Sequence, residues 1–355
     1  LLLLTFLSVI GNAQIVRKYS NEFLNIGAGA RGLAMGGAVI SNQNDVYAPM
    51  WNPAGLTEVE SDWQGAAMHA EYFESIAKYD YISFAKALDS KDGVLGISIV
   101  RLGVDNILNT TQMIDSEGNI DYDKISKFST SDYAGIISYA FRPGGNQKLS
   151  VGINAKIVYR NIGKFANGFG FGFDAGAIYR ADSGYQFGAM LRDATTTVNF
   201  WSINQKELST VVNGEEFNPA PKDKMEITMP KLNLGVSKNF EINRDLELLP
   251  EAGLNVDFAK TAAVISTDFA SISPYLGAEL SFQKMIFVRA GLNRFQTVTD
   301  IEDLKRKVSM QPSAGIGIKY KGLTLDYAIT NTGIGGSNYF SNFFSLKLDM
   351  RDFRY

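Results

Sequence analysis

The sequence predicts an all-β protein: a transmembrane antiparallel β-barrel of about 14 strands, with an N-terminal hatch segment inside the barrel. Three observations predict this fold. The chain begins with an apolar leader, it continues with segments of about ten residues in which apolar and polar side chains alternate, and the connections between these segments are short and long in turn. Alternation with a period of two is typical of strands, and about nine to eleven residues cross a bilayer at a tilt.

The first residues have the pattern of a secretory signal peptide. The apolar run 1–10 is followed by Gly11, Asn12 and Ala13, which places small residues where a signal peptidase cleaves. A buried N-terminal strand is the alternative, but it does not explain this cleavage pattern. We therefore expect residues 1–13 to be a cleavable signal peptide, truncated at its start because no initiating Met or basic region precedes it.

Alternation extends over residues 63–355, which we predict to form the barrel. In one clear example Leu149, Val151 and Ile153 share one face, and Ser150 and Asn154 lie on the other. Strands of this length are longer than those of most soluble sandwiches. The predicted strands are 64–73, 78–87, 93–104, 132–142, 148–160, 170–180, 185–194, 228–240, 246–259, 271–282, 285–295, 311–320, 323–331 and 342–351.

The connections give an independent indication of a barrel. Compact turns rich in Gly, Asp and Asn occupy every second position, for example 143–146 and 181–184. Bacterial barrels place short turns in the periplasm and long loops outside the cell. We therefore expect both ends of the chain to be periplasmic. The predicted outer loops are 74–77, 105–131, 161–169, 195–227, 260–270, 296–310 and 332–341.

The segment 14–62 precedes the first strand and carries two motifs. The first is the small-residue run 27–38, Gly-Ala-Gly-Ala-Arg-Gly-Leu-Ala-Met-Gly-Gly-Ala, and the second, after a spacer that contains Asp45, is Trp-Asn-Pro-Ala-Gly-Leu at 51–56. These motifs resemble the PorV/PorQ family of Bacteroidetes outer-membrane proteins, which is related to the FadL-type fatty-acid transporters. The resemblance implies a hatch that plugs the barrel. The candidate hatch residues are Gly29, Arg31, Gly32, Met35, Gly36, Gly37, Asp45, Trp51, Asn52, Pro53, Ala54 and Gly55.

The same resemblance implies a function. PorV-like proteins serve the type IX secretion system, so we expect the outer loops to dock translocon components or the C-terminal signal domains of cargo proteins. Within loop 195–227, the aromatic residues Phe200, Trp201 and Phe217 are the candidate anchors, because aromatic side chains dominate many interfaces. The alternative is a FadL-like passive transporter of hydrophobic small molecules such as fatty acids, in which the same loop forms an apolar ligand site. The sequence alone does not distinguish the two.

Other function classes find little support. The net charge of -3 disfavours nucleic-acid binding. The glycines at 27, 29 and 32 match a dinucleotide-binding fingerprint, but no strand precedes them and no βαβ unit follows. The acidic loop 115–123 offers oxygen ligands for calcium, yet its glycine is misplaced for an EF-hand, so a solvated loop is the stronger interpretation.

Catalysis is disfavoured because the chain has a single histidine, His69, which lies in a predicted strand. A Ser-His-carboxylate triad would depend on this residue as its base. We therefore predict that the chain is not an enzyme and that it has no cofactor and no metal. The partners that we expect are outer-membrane lipid together with secretion components or a hydrophobic ligand.

Overall fold

The structure of this chain is a computed structural model that describes residues 21–59, 61–88, 93–219, 221, 224–299, 306–331 and 339–350. The signal peptide expected at 1–13 lies outside the described residues, and it stays a prediction. Among the described residues, no helix is long and apolar enough to cross a membrane.

Strands dominate the chain, and nearly all of them belong to one antiparallel sheet. In chain order they are β1 (Trp63–Tyr72), β2 (Ala77–Ala87), β3 (Val94–Asn109), β4 (Ser126–Phe141), β5 (Leu149–Ile162), β6 (Ala166–Arg180), β7 (Tyr185–Arg192), β8 (Thr197–Ile203), β9 (Thr210–Val212), β10 (Glu215–Phe217), β11 (Met225–Thr228), β12 (Lys231–Lys238), β13 (Phe240–Glu241), β14 (Leu246–Asp257), β15 (Ile265–Ser266), β16 (Ser271–Phe282), β17 (Ile286–Thr299), β18 (Arg306–Tyr320), β19 (Leu323–Asn331) and β20 (Phe340–Asp349).

These strands form a closed barrel with 14 wall positions. The number of positions is smaller than the number of strands because β8 continues β7, β11 leads into β12, β13 continues β12, and the short β9, β10 and β15 belong to loops. The wall closes because β1 pairs with β2 on one side and with β20 on the other. Closure removes the free sheet edges that a membrane would not tolerate.

The strands tilt, so a row of paired residues climbs along the wall. Trp63, at the inner end of β1, belongs to the same row as Ile272, at the outer end of β16, through successive pairs across the strands between them. Here the inner rim is the one with the short turns, which barrels place in the periplasm. Along such a row from β1 to β16, each residue therefore lies nearer the outer rim than its partner on the preceding strand.

The predicted fold class is confirmed, with 14 strand positions in the predicted order. Several strands extend farther into the outer loops than predicted: β3 continues to Asn109, β4 begins at Ser126, and β17 and β18 extend to Thr299 and from Arg306. Apolar and polar side chains alternate only where one face of a strand contacts lipid, so this alternation ends at the membrane boundary. Backbone pairing does not depend on lipid, and it continues beyond that boundary.

The two faces of the wall differ in chemistry. Large apolar side chains such as Ile97, Ile157 and Phe171 are exposed on the outer face, where lipid would cover them. Inward-facing polar side chains such as Ser138 and Asn154 are buried. The interior of the barrel also holds buried apolar side chains such as Tyr79, Met190 and Phe343, and it is largely filled.

One wall position is interrupted in its middle. Between β7 and β8 the residues 193–196 leave the ladder, and Asp193 and Thr196 have positive φ angles. Opposite them, the residues between β11 and β12 include Pro230, which has no N–H to donate. This interruption lies next to a group of buried charges, which are described below.

Candidate functional site

The described part of the N-terminal segment, residues 21–59, lies against the inward face of the wall. It contains two short α-helices, α1 (Ala30–Ala34) and α2 (Ala48–Trp51), and two 3-10 helices, Glu22–Asn25 and Pro53–Glu58. Most of its residues are buried, including polar ones. We call this stretch the N-terminal segment.

The Trp51 ring is the centre of the segment. Its indole nitrogen donates to the Ala28 carbonyl at 2.6 Å. Glycines surround the ring: a Cβ atom at Gly32 would lie 2.7 Å from the indole nitrogen, one at Gly37 would lie 3.3 Å from the ring, and one at Gly27 would overlap it. The glycine run therefore makes room for an aromatic side chain from the second motif.

We expect the substitution Gly27→Ala to loosen the segment by about 2 kcal/mol or more, because the new methyl group overlaps Trp51 and the backbone has a φ of +90°. Proteolysis of the segment in detergent should then accelerate about 30-fold. Gly144→Ala is the matched control, since Gly144 has a φ of +59° and open space around it. Equal acceleration in both variants would contradict the role given to Trp51.

The second motif is fitted to glycines of the wall. The Asn52 amide donates to the carbonyl oxygens of Ile40 at 2.8 Å and of Ala177 at 3.1 Å, and its oxygen accepts from the Ala54 N–H. A Cβ atom at Gly176 would overlap the Asn52 oxygen, and one at Gly152 would overlap the backbone of Pro53 and Ala54. Small wall residues therefore let the Asn-Pro-Ala backbone approach closely.

The first motif contacts the opposite part of the wall in the same manner. The backbone of Met35, whose side chain is fully buried, lies where Cβ atoms at Gly277 and Gly291 would be. The Gly36 carbonyl accepts from the Asn293 amide at 3.0 Å. Both motifs thus touch the wall directly.

Buried ion pairs connect the segment to the inner half of the barrel. The Arg31 guanidinium contacts the Glu279 carboxylate at 2.9 Å, and Glu279 also contacts Arg289, which in turn reaches Asp326. Charged groups that leave water need such partners, because an isolated buried charge is costly. Arg31 therefore belongs to a network of which the other members are wall residues.

Asp45 is held in a similar way. Its carboxylate contacts the Lys347 ammonium at 2.7 Å and accepts from the Tyr47 N–H at 3.0 Å. Burial alone would raise the pKa of the Asp45 carboxyl, but Lys347, with a smaller contribution from Arg31, holds that pKa below its ordinary value. Asp45 is therefore a charged anchor between the segment and the last strand.

Glu251 of β14 is a further anchor, which the sequence did not single out. Its carboxylate accepts from the backbone N–H groups of Ile40 at 2.7 Å and Ser41 at 3.0 Å, from the Ser41 hydroxyl at 2.5 Å and from the Asn42 amide at 2.8 Å. A single wall carboxylate thus satisfies four donors of the segment. The only signal in the sequence is an acidic residue at an inward position of a strand.

A second group of buried charges lies beside the interruption between β7 and β8. The Lys156 ammonium contacts the carboxylates of Asp174 at 2.6 Å and Asp193 at 2.7 Å. The neighbouring Arg192 donates to the Met50 carbonyl of α2. The interrupted wall position is therefore connected to the N-terminal segment through Arg192.

Two cavities lie on opposite sides of the segment. The upper cavity, of about 500 Å³, is on the outer side, and the lower cavity, of about 390 Å³, is on the inner side. The upper cavity is lined by the apolar side chains Ile26, Leu33, Ile40, Trp51, Tyr72, Tyr275 and Phe343, and by polar side chains that include Arg192, Lys231, Asn233 and Arg294. The lower cavity is lined mainly by charged residues, among them Arg31, Asp45, Glu58, Arg180, Glu279 and Lys347.

The structure separates two of the three candidate loop residues, Phe200 and Trp201. Phe200 and Trp201 are neighbours in β8, so they point to opposite faces of the wall. Phe200 is half exposed, whereas Trp201 packs against the Arg160 guanidinium at 5.2 Å and against Gly168. Phe217 lies in the β9–β10 hairpin, beyond the short helix α3 (Gln205–Leu208). Sequence reasoning treated 195–227 as one loop and missed the continuation of the wall into it.

The remaining candidates have ordinary surroundings. In loop 115–123 the Asp115 carboxylate accepts from the backbone N–H groups of Glu117 and Asn119, both at 2.9 Å, which is a local turn. No group of three or more His, Cys, Asp or Glu side chains that could hold a metal ion occurs in the part of the chain that the structure describes. His69 is on the outer face of β1, and its ring contacts Asp80 at 2.7 Å.

Comparison with known proteins adds structural relatives. The fold is similar to that of the Ralstonia pickettii toluene transporter TbuX, with 13% sequence identity, a TM-score of 0.57, and coverage of 91% of this chain and 98% of that chain. The CymD monoaromatic hydrocarbon channel gives 12% identity, a TM-score of 0.59, and coverage of 91% and 98%. A Pseudomonas aeruginosa FadL homologue has 11% sequence identity and a TM-score of 0.51, and the match covers 91% of this chain and 98% of that chain. No protein-family model and no curated protein sequence matches the chain.

At these identities the likeness is one of fold. It extends over nine tenths of this chain and almost the whole of each relative, so it includes the barrel as a unit. The resemblance to PorV/PorQ proteins is not among these matches, and it stays a prediction. The chain therefore has the fold of an outer-membrane β-barrel, shared with a toluene transporter, a monoaromatic hydrocarbon channel and a FadL homologue.

Proposed function

We propose that this chain is an outer-membrane channel for small hydrophobic compounds and that the upper cavity is the first site at which they bind. The observation that carries the proposal is the position of this cavity, on the outer side of the N-terminal segment and within the barrel. Its volume of about 500 Å³ lies within the range of small-molecule sites. The names of TbuX and CymD, a toluene transporter and a monoaromatic hydrocarbon channel, support the same substrate class.

The upper cavity has a mixed lining, and its aromatic part suits an apolar ligand. Tyr72 and Phe343 pack edge to face with ring centroids 5.5 Å apart, and Trp51 and Leu33 of the segment contribute to the floor. Burying an apolar ligand against such rings is favourable because the contact removes apolar surface from water. Polar groups in the lining, such as Asn233 and Arg294, would fix the orientation of a ligand.

Transport is favoured over the docking of type IX secretion components. Two of the three aromatic anchors expected for docking, Phe200 and Trp201, lie on opposite faces of β8, so these two offer no common surface. The comparisons give docking no support, whereas they include hydrocarbon channels. Docking through the outer loops therefore stays a prediction, and hydrophobic transport is our proposal.

Neighbouring phenylalanines of β20 provide a matched test. Phe343 is fully buried and lines the upper cavity, whereas Phe344 is 54% exposed on the outer face. We expect the wild-type protein in detergent to bind toluene or naphthalene, and Phe343→Ala to weaken binding about tenfold, because a ring of the site is lost. Phe344→Ala should leave the affinity unchanged.

Proteoliposomes provide the functional measurement. The intact protein should accelerate the uptake of naphthalene but not of a sugar of similar size, and Phe343→Ala should reduce that acceleration. The proposal is wrong if the wild-type protein binds neither hydrocarbon, or if the two phenylalanine variants bind equally well.

A further inference from the structure

The outer face of the barrel carries a row of ionisable side chains where lipid is expected. His69 of β1, Asp80 of β2 and Arg101 of β3 are direct partners across neighbouring strands, and Tyr133 of β4 continues the row. His69 contacts Asp80 at 2.7 Å, and Asp80 contacts Arg101 at 3.0 Å. Their side chains are 50%, 36% and 32% exposed. We call these three residues the outer charged row.

The outer charged row shortens the apolar band on this side of the barrel. On β3 the outward apolar positions run only from Leu95 to Ile99 before Arg101, whereas on β5 they run from Leu149 to Tyr159. With about 3.4 Å per residue and a tilt of about 40°, these runs span roughly 10 Å and 26 Å along the membrane normal. The band on β5 matches the apolar height of about 25 Å that such barrels present, and the band on β3 does not.

The tilt of the strands places the row below the level of the neighbouring aromatic residues. Tyr133 pairs with Tyr159 of β5, so the charged row and these tyrosines belong to one climbing row. His69 and Asp80, on the earliest strands, therefore lie nearer the centre of the membrane than Tyr159 does. Charged side chains on the lipid face are destabilising to an extent that increases with depth.

The outer charged row is continuous with the polar surface outside the cell. The next outward positions toward the outer rim are Glu71, Lys78 and Gly103, and Lys78 contacts Asp105, which follows Gly103 on β3, at 3.5 Å. Water and lipid headgroups can therefore reach the row along the wall. The signs of charge are mixed, which suits headgroups that carry both a phosphate and an amine. A protein partner would instead have to bury these groups away from water, at a large desolvation cost.

We propose that the headgroups of the outer leaflet descend along β1–β3 to the outer charged row, so that the bilayer is locally thin on this side of the barrel. The partner is the phosphate-bearing headgroup of an outer-leaflet lipid with its hydration water. Short hydrophobic surfaces are known to be accommodated by thinning of the bilayer. The inference is independent of what passes through the lumen.

The test uses single cysteines, which the cysteine-free chain permits without background. Nitroxide labels are attached to Ile82→Cys, Ile99→Cys and the control Ile157→Cys, with the full chain in phosphatidylethanolamine and phosphatidylglycerol vesicles. The three isoleucines are 63%, 57% and 55% exposed and share one row, directly below the charged one on these strands. Ile157 is nearest the outer rim, so a flat bilayer would expose Ile157 most.

The measured quantity is the ratio of two collision rates of the nitroxide label, with a water-soluble nickel chelate and with oxygen. We expect this ratio to be several-fold higher at positions 82 and 99 than at 157. Replacing the row by His69→Leu, Asp80→Leu and Arg101→Leu should lower the value at 82 to that at 157. Equal values at the three positions in the wild-type row would overturn the proposal. So would protection of 82 and 99 from both reagents, which would indicate a covering protein such as a second copy. The wild-type comparison decides the matter even if the leucine variant does not fold.

Discussion

Deletion of residues 21–59 is expected to raise the single-channel conductance of the barrel at least tenfold in planar bilayers. The segment lies between the two cavities and is held by the wall on several sides. Without it, the lumen would be lined by polar side chains such as Asn154 and Arg289 and would fill with water. A barrel of this size then conducts ions, whereas a filled lumen does not.

The deletion needs a test of folding, because it removes the partners of buried wall charges. Circular dichroism and the mobility shift of unheated barrels in gels should remain as in the intact chain. Trp51→Ala is a second variant that leaves the segment in place but weakens its centre, and we expect brief openings in place of a steady pore. A folded deletion variant with the low conductance of the intact protein would show that the segment does not close the channel.

The substitution Glu251→Gln should increase the opening of the segment about a hundredfold. The Glu251 carboxylate accepts from four donors, and either oxygen faces at least one backbone N–H group. An amide group in its place would direct an N–H toward another N–H or lose the charge-assisted bonds, at a cost of about 3 kcal/mol. Hydrogen exchange of the peptide that contains Ile40 and Ser41 measures the effect directly.

Glu247→Gln is the matched control for this substitution. Glu247 lies on the same strand and the same face, four residues toward the inner rim, and it contacts Asn239 and Lys284 without touching the N-terminal segment. We expect exchange at residues 40 and 41 to be unchanged in this variant. If both substitutions accelerate exchange equally, the wall as a whole has loosened, and Glu251 has no special role.

The sequence predicted the barrel because its signals are local. A strand that faces lipid on one side alternates within its own ten residues, as 149–159 does, and turns such as 143–146 are set by their glycines. Because consecutive strands pair as hairpins, the order of the strands in the wall follows their order in the chain. The ends of β3 and β4 were missed because apolar and polar side chains no longer alternate there, as in the adjacent Ile107 and Leu108 of β3.

The site was predicted only in part, since its partners are distant in sequence. The motif residues Arg31, Asp45 and Asn52 could be selected from their run, but nothing local indicates that they meet Glu279, Lys347 and the carbonyl of Ala177. Glu251 was missed for the same reason. The three loop anchors stay a prediction, but two of them are neighbours in one strand, where successive side chains diverge.

The contacts between the N-terminal segment and distant wall strands also determine the order of assembly. The segment is synthesised before the strands that it contacts: Arg31 meets Glu279, Ile40 meets Glu251 and Asp45 meets Lys347, at separations of 248, 211 and 302 residues. Contacts of such long range form slowly, because the chain between them must be ordered first. The N-terminal segment is therefore made before these wall strands but can reach its final place only after they have formed. Until then the charged groups of Arg31 and Asp45 lack these wall partners and need water around them.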